Sequence, residues 1–559
     1  MVRQRHVVLL SVVALCLSAG KAAAETSDYN REFEPTPARH TTHPIDPPTV
    51  PDAIAKQGLE WKPCGTTGLR DALTGNALAG ARAALFDGLD CATVRTPLDW
   101  ASPDGPTVTF QISRLPGHGA TRPLLTSPGG PGAGTLLNPI AWATAFPQLR
   151  DAYDLIGFDP RGTPLSGTAL DCDANSSGDP QLLAGGRNDG ADILDFGPES
   201  VRHQLSQAKN WIRSCEQRSG NMLGAVDYWQ TVRDLDLVRS LLDAPTWSYL
   251  GVSQGTDLGL ELARTFPDRI DRLVLDSIDD PAVTQAAGHR ERVTRQQRTV
   301  ERDFAPWLAA RGTSFGNSPE AVLAALTRLR ADLTAHPIPL PFDKSFSGND
   351  LNMVLFGVDN GPYEALEGKL LNLLAAVRQP SITTQLNAAL AFRISPMLDN
   401  FGGNILQLGS RIGWWTARNC NDTGWSHDLN EIVGAARQLA EQAPLTYLGM
   451  GFTAACAFWP APHADPNPAR LDRIASALLI VNEKDPVTPI SGARAVRTAI
   501  PGARLVTVAG KQRHLALPQL MPNGLPGSIP ATSGCATAAA AEYLLRGRLP
   551  DTDTVCGPD

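Results

Sequence analysis

Residues 247–257, with the sequence WSYLGVSQGTD, decide the fold of this chain. The first half of the stretch is apolar and predicts a short buried strand, and residues 258–266, which follow, have the spacing of a helix. Between them, residues 251–255 match the G-x-S-x-G turn, in which a serine is exposed at a sharp strand-to-helix corner. Residues 272–276 predict another short strand, which completes the context that this turn requires. Ser253 is therefore the candidate nucleophile.

A serine hydroxyl is a weak nucleophile near neutral pH, so it needs a base, and the base needs a carboxylate that orients it. In an α/β-hydrolase these residues follow each other in the order Ser, then Asp or Glu, then His. His514 is the one histidine that comes after both late predicted strands, residues 477–481 and 504–508. Asp485 follows the first of these strands and lies deeper in the turn than Glu483. Alone, each would also fit an ordinary loop residue; with the order satisfied, they complete a predicted triad.

The tetrahedral intermediate of acyl transfer needs preorganised N–H donors, which form an oxyanion hole. Gln254 follows the nucleophile and supplies one donor by its backbone. Gly130 lies in the glycine-rich loop SPGGPGAG at 127–134, where the backbone can approach a substrate closely, and it supplies the other. This loop lacks the spacing of a phosphate-binding loop, so we expect no nucleotide cofactor.

Strand and helix patterns alternate along most of the chain. Further predicted strands are residues 94–100, 107–114, 123–126 and 153–158, and further predicted helices include residues 210–216 and 231–242. This alternation predicts an α/β fold of the α/β-hydrolase type, with a mostly parallel sheet flanked by helices.

Residues 283–415 differ from the rest, because they are largely amphipathic helix with little strand pattern. Since strands resume after them, we predict a helical cap inserted into a core formed by residues 56–282 and 416–559. An independent helical domain is the alternative, because a stretch of this length can fold alone.

The N-terminus has the features of a secretory signal peptide, predicted at residues 1–24: Arg3 and Arg5, a short apolar run, and three alanines before the cleavage site. Residues 25–55 are rich in Pro, Thr and His without apolar periodicity, and we expect a poorly ordered leader. The protein should therefore be secreted and extracellular, or periplasmic if the cell has an outer membrane.

The composition narrows the choice of partners. The chain has 559 residues with a formal net charge of −8, which argues against nucleic acid or an anionic membrane surface. One of the nine cysteines, Cys16, lies in the predicted signal peptide, and the even number left predicts disulfides, with the pairing open. No C-x-x-C or H-E-x-x-H pattern occurs, so no metal site is predicted.

Five segments, taken together and in order, carry a family resemblance. They are SPGGPG at 127–132, GFDPRG at 157–162, GVSQGT at 251–256, DPVTP at 485–489, and the tail at 535–556. The chain resembles the secreted bacterial tripeptidyl aminopeptidases, α/β-hydrolase serine peptidases related to proline iminopeptidases. The resemblance implies an exopeptidase that releases short peptides, tripeptides above all, from free N-termini beneath a helical cap. It implies Asp422, in the segment Cys-Asn-Asp, as a candidate partner for the substrate amine, with a surface turn acid as the alternative.

The same resemblance implies that cysteines adjacent in sequence pair with each other. The pairs are Cys64 with Cys91, Cys172 with Cys215, Cys420 with Cys456, and Cys535 with Cys556.

The chain departs from the family pattern at the walls of the site. Gln254 and Asp257 stand where the family usually has Tyr, and Arg513 and Leu515 flank His514 where it has Gly. These changes alter the walls of the site, so they affect the choice of substrate more than the type of reaction. The alternatives are a secreted carboxylesterase with the same triad and a non-catalytic, hydrolase-like binding protein. We expect a monomer.

Overall fold

The computed structural model describes residues 28–42, 49–64, 88–119, 122–130, 136–164, 166–172, 191–340, 344–358, 362–393, 405–464, 470–518 and 533–557. The predicted signal peptide, residues 1–24, lies outside these described residues.

A ten-stranded sheet runs through the centre of the described chain. Its strands are β1 Lys62–Pro63, β2 Asp90–Pro97, β3 Thr107–Leu115, β4 Arg122–Ser127, β5 Tyr153–Asp159, β6 Trp247–Val252, β7 Ile270–Asp276, β10 Ala477–Asn482, β11 Ala503–Val508 and β12 Thr554–Cys556, and a separate hairpin consists of β8 Ile338–Leu340 and β9 Lys344–Phe346. The order across the sheet is β1-β2-β3-β5-β4-β6-β7-β10-β11-β12. The strands from β1 to β5 pair antiparallel, and every pairing from β5 onward to β12 is parallel. The predicted mostly parallel sheet is confirmed.

Helices lie before, between and after these strands. They are α1 Tyr29–Phe33, α2 Asp52–Ala55, α3 Asn138–Ala145, α4 Pro198–Ser219, α5 Tyr228–Leu241, α6 Gln254–Thr265, α7 Gln285–Thr299, α8 Ala305–Ala310, α9 Pro319–Ala335, α10 Gly348–Phe356, α11 Tyr363–Arg378, α12 Ile382–Arg393, α13 Ile405–Asp422, α14 Leu429–Gln442, α15 Gly451–Ala457, α16 Ile490–Ala499 and α17 Gly534–Arg546. Among the residues described above, no helix combines the length and the apolar character needed to cross a bilayer.

Each face of the sheet is covered by its own set of helices. Apolar residues of α5, α6 and α16 pack on one face, and those of α3 and α17 pack on the other. Successive residues of a strand point to opposite faces of the sheet. Leu125 therefore packs on the face that α5, α6 and α16 cover, and Leu124 packs on the face that α3 and α17 cover. This burial on both sides explains why the central strands are nearly continuous apolar runs.

The helical insertion is larger than the sequence predicts. It extends from α7 to α15, between the end of β7 and the start of β10. The predicted cap boundary at residue 415 falls inside α13, so it needs correction: α13, α14 and α15 form one apolar cluster with α4, while α8 to α11 form another. The helical insertion therefore packs in two parts, and the first part also includes α4, which precedes Ser253 in the chain.

Part of the predicted leader is ordered against this cap, contrary to expectation. Tyr29 and Phe33 lie four residues apart on one face of α1, and both are buried. Further along, the backbone N–H of Thr36 donates to Ala457 O at 3.0 Å, and that of Thr41 donates to His463 O at 2.9 Å. Two apolar residues and a few backbone hydrogen bonds thus anchor a segment whose composition predicts disorder.

The eight cysteines outside the predicted signal peptide form four disulfides in the structure. They are Cys64–Cys91, Cys172–Cys215, Cys420–Cys456 and Cys535–Cys556, the pairing that the family resemblance implies.

Candidate active site

Ser253 occupies the sharp turn between β6 and α6. Its backbone has φ 52° and ψ −128°, a conformation that side chains rarely adopt. A Cβ at Gly251 would lie 2.6 Å from Gly255 O, and one at Gly255 would lie 2.8 Å from Ser127 O. Neither position has room for a side chain, because strand, turn and neighbouring loop pack together here. The two glycines of the motif are therefore required by the close packing around this turn.

His514 lies between Ser253 and Asp485. Its Nε2 is 2.9 Å from Ser253 Oγ, and its Nδ1 is 3.0 Å from Asp485 Oδ2 and 3.1 Å from Oδ1. These contacts bring together the three residues predicted from chain order, and they have the connectivity of a nucleophile, a base and an orienting acid. Chemically, such an arrangement can transfer an acyl group.

Backbone and side-chain donors fix the carboxylate of Asp485. Its Oδ1 accepts the N–H groups of Val487 and Thr488, each at 2.9 Å, and its Oδ2 accepts the Thr488 hydroxyl at 2.9 Å. Burial acts to raise the pKa of Asp485, but the charge and hydrogen bond of His514 and the N–H of Thr488 outweigh it, so the pKa falls below its usual value. Burial acts to lower the pKa of His514, and Asp485 more than reverses this and raises it.

A second buried carboxylate, Asp276 at the end of β7, holds the loop that carries His514. It accepts the backbone N–H of Ala516 at 3.0 Å and that of Leu517 at 2.8 Å, and its own carbonyl accepts Ser253 N–H at 2.9 Å. Burial raises its pKa to about 6 against the opposing effect of these donors and of His514. In the sequence, Asp276 is the last residue of a predicted strand, and the signal for its role is an acid that ends an apolar run.

Asn482, at the end of β10, holds the same loop from the other side. Its side-chain amide donates to the carbonyls of Arg513 and Leu515, at 2.9 and 3.0 Å, and so brackets His514. Leu515 adopts φ 70°, where a glycine would be unstrained. The bracketing amide and Asp276 together hold this strained loop in place.

The predicted oxyanion loop lies against the turn of the nucleophile. Gly129 has φ 92°, and a Cβ there would be 2.7 Å from Val252 O and 3.4 Å from Gln254 N. Gly130, the predicted donor, is exposed directly after it, and residues 131–135 of the loop lie outside the described residues. The approach of this loop to Gln254 N has the layout of an oxyanion hole.

Asp422, the candidate amine anchor, is part of a charge cluster next to the nucleophile helix. Arg418 Nη2 is 3.1 Å from Asp257 Oδ2, and Arg418 Nε is 3.0 Å from Asp422 Oδ2. The guanidinium also lies over the ring of Tyr228 at 4.4 Å, and the Tyr228 hydroxyl donates to Gln254 O at 3.3 Å. Asp257 thus belongs to the same cluster as Asp422.

Two carboxylates share one cation in this cluster. Asp422 Oδ1 accepts Tyr228 N–H at 3.0 Å, whereas Oδ2 is poorly aligned with Arg418 Nε and receives no hydrogen bond from any described residue. Burial raises the pKa of Asp257 and of Asp422 to about 7, and Arg418 opposes the rise in each. With both acids ionised, the cluster has an excess negative charge and an unused acceptor.

A cavity of about 700 Å³ borders this cluster. Tyr228, Asp257, Arg418 and Asp422 contribute to its wall, which among the described residues does not include Ser253. Since Asp257 follows Ser253 by one turn of α6, roughly 6 Å of helix rise, the cavity begins near the nucleophile and extends away from it. No group of three or more described His, Cys, Asp or Glu side chains is arranged to hold a metal ion.

Comparison with known protein families agrees with the sheet topology. A family described as alpha/beta hydrolase fold matches residues 122–351, and a family described as TAP-like protein matches residues 446–556. The chain has the α/β-hydrolase fold. The predicted fold class is confirmed, and residues 352–445, in the helical insertion, lie between the two matches.

Curated relatives of this α/β hydrolase include peptidases and an esterase. It is 27% identical to the tripeptidyl aminopeptidase of Streptomyces lividans, over 90% of this chain and 87% of that protein. It is 24% identical to the serine protease Hip1 of Mycobacterium tuberculosis, over 89% of this chain and 91% of that protein. It is 28% identical to carboxylesterase B of Mycobacterium tuberculosis, over 84% of this chain and 86% of that protein. These relatives support a serine hydrolase, and specifically a serine peptidase of the tripeptidyl aminopeptidase type.

Proposed function

We propose that this α/β hydrolase is an exported serine exopeptidase that releases short peptides, tripeptides in particular, from free N-termini. The observation that carries the proposal is the position of His514, whose two ring nitrogens contact Ser253 Oγ and Asp485. The peptidase relatives make a peptide the first substrate to consider.

In the proposed reaction, Ser253 Oγ attacks the carbonyl carbon of the scissile peptide bond while His514 Nε2 takes its proton. Asp485 orients the imidazole and stabilises its charged form. The oxyanion accepts the backbone N–H groups of Gln254 and Gly130. His514 then gives its proton to the leaving amine, which departs and leaves an acyl-enzyme. Water, activated by the same base, hydrolyses the ester and regenerates Ser253.

The carboxylate cluster supports an aminopeptidase. A protonated amine would be attracted to Asp257 and Asp422, because the one described arginine that forms an ion pair with each of them is Arg418. Three extended residues span about 10 Å, and the cluster begins one helical turn beyond the nucleophile. A short acyl segment can therefore reach from Ser253 to the cluster.

The disulfides support export, because such bonds persist in oxidising compartments and are rare in the cytosol. The predicted signal peptide at residues 1–24 points the same way.

A secreted carboxylesterase is the second candidate function. The similarity to carboxylesterase B favours it, since an ester would use the same three residues without an amine anchor.

One comparison separates these functions. Hydrolysis is measured for an Ala-Pro-Ala chromogenic amide, its N-acetylated form and a short-chain aryl ester, with Ser253→Ala as the blank. We expect turnover of the free-amine peptide and loss of that turnover on acetylation. Ester turnover without peptide cleavage would replace the proposal by the esterase, and no turnover of any substrate would contradict both.

The amine anchor is tested by Asp422→Asn. The substitution removes a charge that faces the cavity, so KM for the free-amine peptide should rise while turnover of the ester stays the same. Asp268→Asn, which changes an exposed acid beyond the other end of α6, is the control. An unchanged KM in Asp422→Asn would remove Asp422 from the site.

A further inference from the structure

We propose that Arg295, on the first helix of the cap, is a positioning residue that fixes the loop carrying Asp485. Its Nε donates to Pro486 O at 2.6 Å, and its Nη2 donates to Val487 O at 2.8 Å. One edge of the guanidinium therefore binds the two carbonyls that come directly after the acid. The proposal rests on the proposed triad and adds a residue to it.

These two carbonyls belong to the same peptide units whose N–H groups hold the acid. The unit between Pro486 and Val487 accepts from Arg295 at its oxygen and donates from Val487 N to Asp485 Oδ1. The next unit accepts at Val487 O and donates from Thr488 N to the same Oδ1. Each peptide unit is planar, so fixing its oxygen also fixes the direction of its N–H. Arg295 therefore acts on Asp485 through two rigid amides.

The positive charge of Arg295 strengthens both backbone hydrogen bonds to Asp485. A cation at each carbonyl oxygen polarises the amide and makes its N–H a better donor to the carboxylate, because hydrogen bonds in a chain reinforce one another. The planar fork of an arginine suits two carbonyls side by side, which a single ammonium does not reproduce. Loss of Arg295 would free both peptide units to rotate and would weaken both bonds to Asp485.

Arg295 is itself held in place. Its Nη1 donates to Glu291 Oε1 at 2.8 Å, one turn earlier in α7, and its side chain is 15% exposed. The neighbouring Gln296 also reaches Pro486 O, at 3.4 Å. The contact is thus part of an interface between helix α7 and the loop that carries Asp485.

The cap also touches the loop of the base. Gln512, two residues before His514, donates to Asp303 Oδ2 at 3.1 Å and to the Tyr363 hydroxyl at 3.3 Å. Asp303 lies in a single turn of π-helix, Val300–Phe304, directly after α7. Both catalytic loops are therefore held by one continuous part of the cap, which gives the cap a role in alignment as well as in access.

The test uses Arg295→Gln, Arg295→Lys and the control Arg298→Gln, an exposed arginine on the same helix. Three quantities are measured: kcat and KM for the aryl ester and the free-amine peptide, the rate of inactivation by a fluorophosphonate, and the melting temperature. We expect Arg295→Gln to lower kcat and the inactivation rate roughly 10- to 100-fold with little change in KM, as for a misplacement of about 1 Å. Arg295→Lys, which keeps the charge but not the fork, should recover part of the rate.

Other outcomes would overturn the inference. An effect on KM alone would show that Arg295 acts only as part of the cavity wall, to which it belongs. A lower melting temperature with wild-type rates in the folded protein would make its role structural. Rates equal to those of Arg298→Gln would leave it no role. If the wild type itself does not react with the fluorophosphonate at Ser253, the proposed function fails together with the inference; if the wild type reacts and Arg295→Gln reacts equally fast, the inference alone fails.

Discussion

Replacement of Asp485 by Asn tests the candidate triad directly, because the structure fixes which way the new amide must face. Oδ1 accepts two backbone N–H groups, so the amide oxygen is favoured at that position. The NH₂ group then takes the position of Oδ2, 3.0 Å from His514 Nδ1, where it opposes a proton on Nδ1 and favours the tautomer with its proton on Nε2. A protonated Nε2, 2.9 Å from Ser253 Oγ, cannot take the serine proton.

The free-energy cost of the opposite amide orientation sets the expected loss of kcat/KM. Turning the amide over would restore the productive tautomer of His514, but the NH₂ group would face two backbone N–H groups. Leaving two buried donors unsatisfied costs about 2–6 kcal/mol. Since each 1.36 kcal/mol is a factor of ten, kcat/KM should fall by roughly 30- to 3 × 10⁴-fold.

The assay is kcat/KM for the free-amine tripeptide amide, together with the melting temperature. Glu483→Gln is the matched control: this exposed acid lies two residues away in the same loop, accepts Gly510 N–H at 2.6 Å, and should keep the wild-type rate. A fall of less than about tenfold in Asp485→Asn would refute the argument from the tautomer. A loss of rate in Glu483→Gln would transfer the role of the acid to Glu483.

Two further predictions concern the base and its loop. Attack by serine requires neutral His514, and Asp485 raises the pKa of His514, so the wild-type rate should fall as the pH drops through a value above 6.5. In Asp485→Asn the midpoint of this acid limb should shift to lower pH, and an unchanged midpoint in the pH–rate profile would contradict the assignment. Asp276→Asn places an NH₂ group among the N–H donors of Ala516 and Leu517, so kcat should fall about tenfold and the melting temperature should drop. Wild-type kcat in this variant would show that the His514 loop does not depend on Asp276.

The central strands could be predicted because a strand that is buried on both faces has a nearly continuous run of apolar residues. Residues 477–481 and 504–508, for example, correspond to β10 and β11. The strand β12 was missed, because Thr554–Cys556 is three residues long and depends on its pairing with β11 and on the disulfide to Cys535. The order in the leader was missed for a similar reason, since it depends on two aromatic residues that bury against distant helices.

The candidate site also contains residues that the sequence predicts and residues that it does not. Chain order selects His514, and chain order together with depth in the turn selects Asp485; in the structure His514 contacts both Ser253 and Asp485. The residues that hold the loops of His514 and Asp485 follow no known order along the chain. Asp276 is 240 residues from the backbone N–H of Ala516 that it accepts, and Arg295 is 191 residues from Pro486. No spacing in the sequence connects such pairs, so their roles become visible when the loops are seen together.

The pairing of the cysteines has a consequence for the way this chain can mature. The four bonds close separations of 21 to 43 residues, and no pair encloses or crosses another. A chain that enters an oxidising compartment with its N-terminus first exposes each cysteine together with its correct partner before the next pair arrives. The first bond that such a chain can form is then also the native one. Of the 105 ways to join eight cysteines, this is the one that needs no later reshuffling during passage across a membrane.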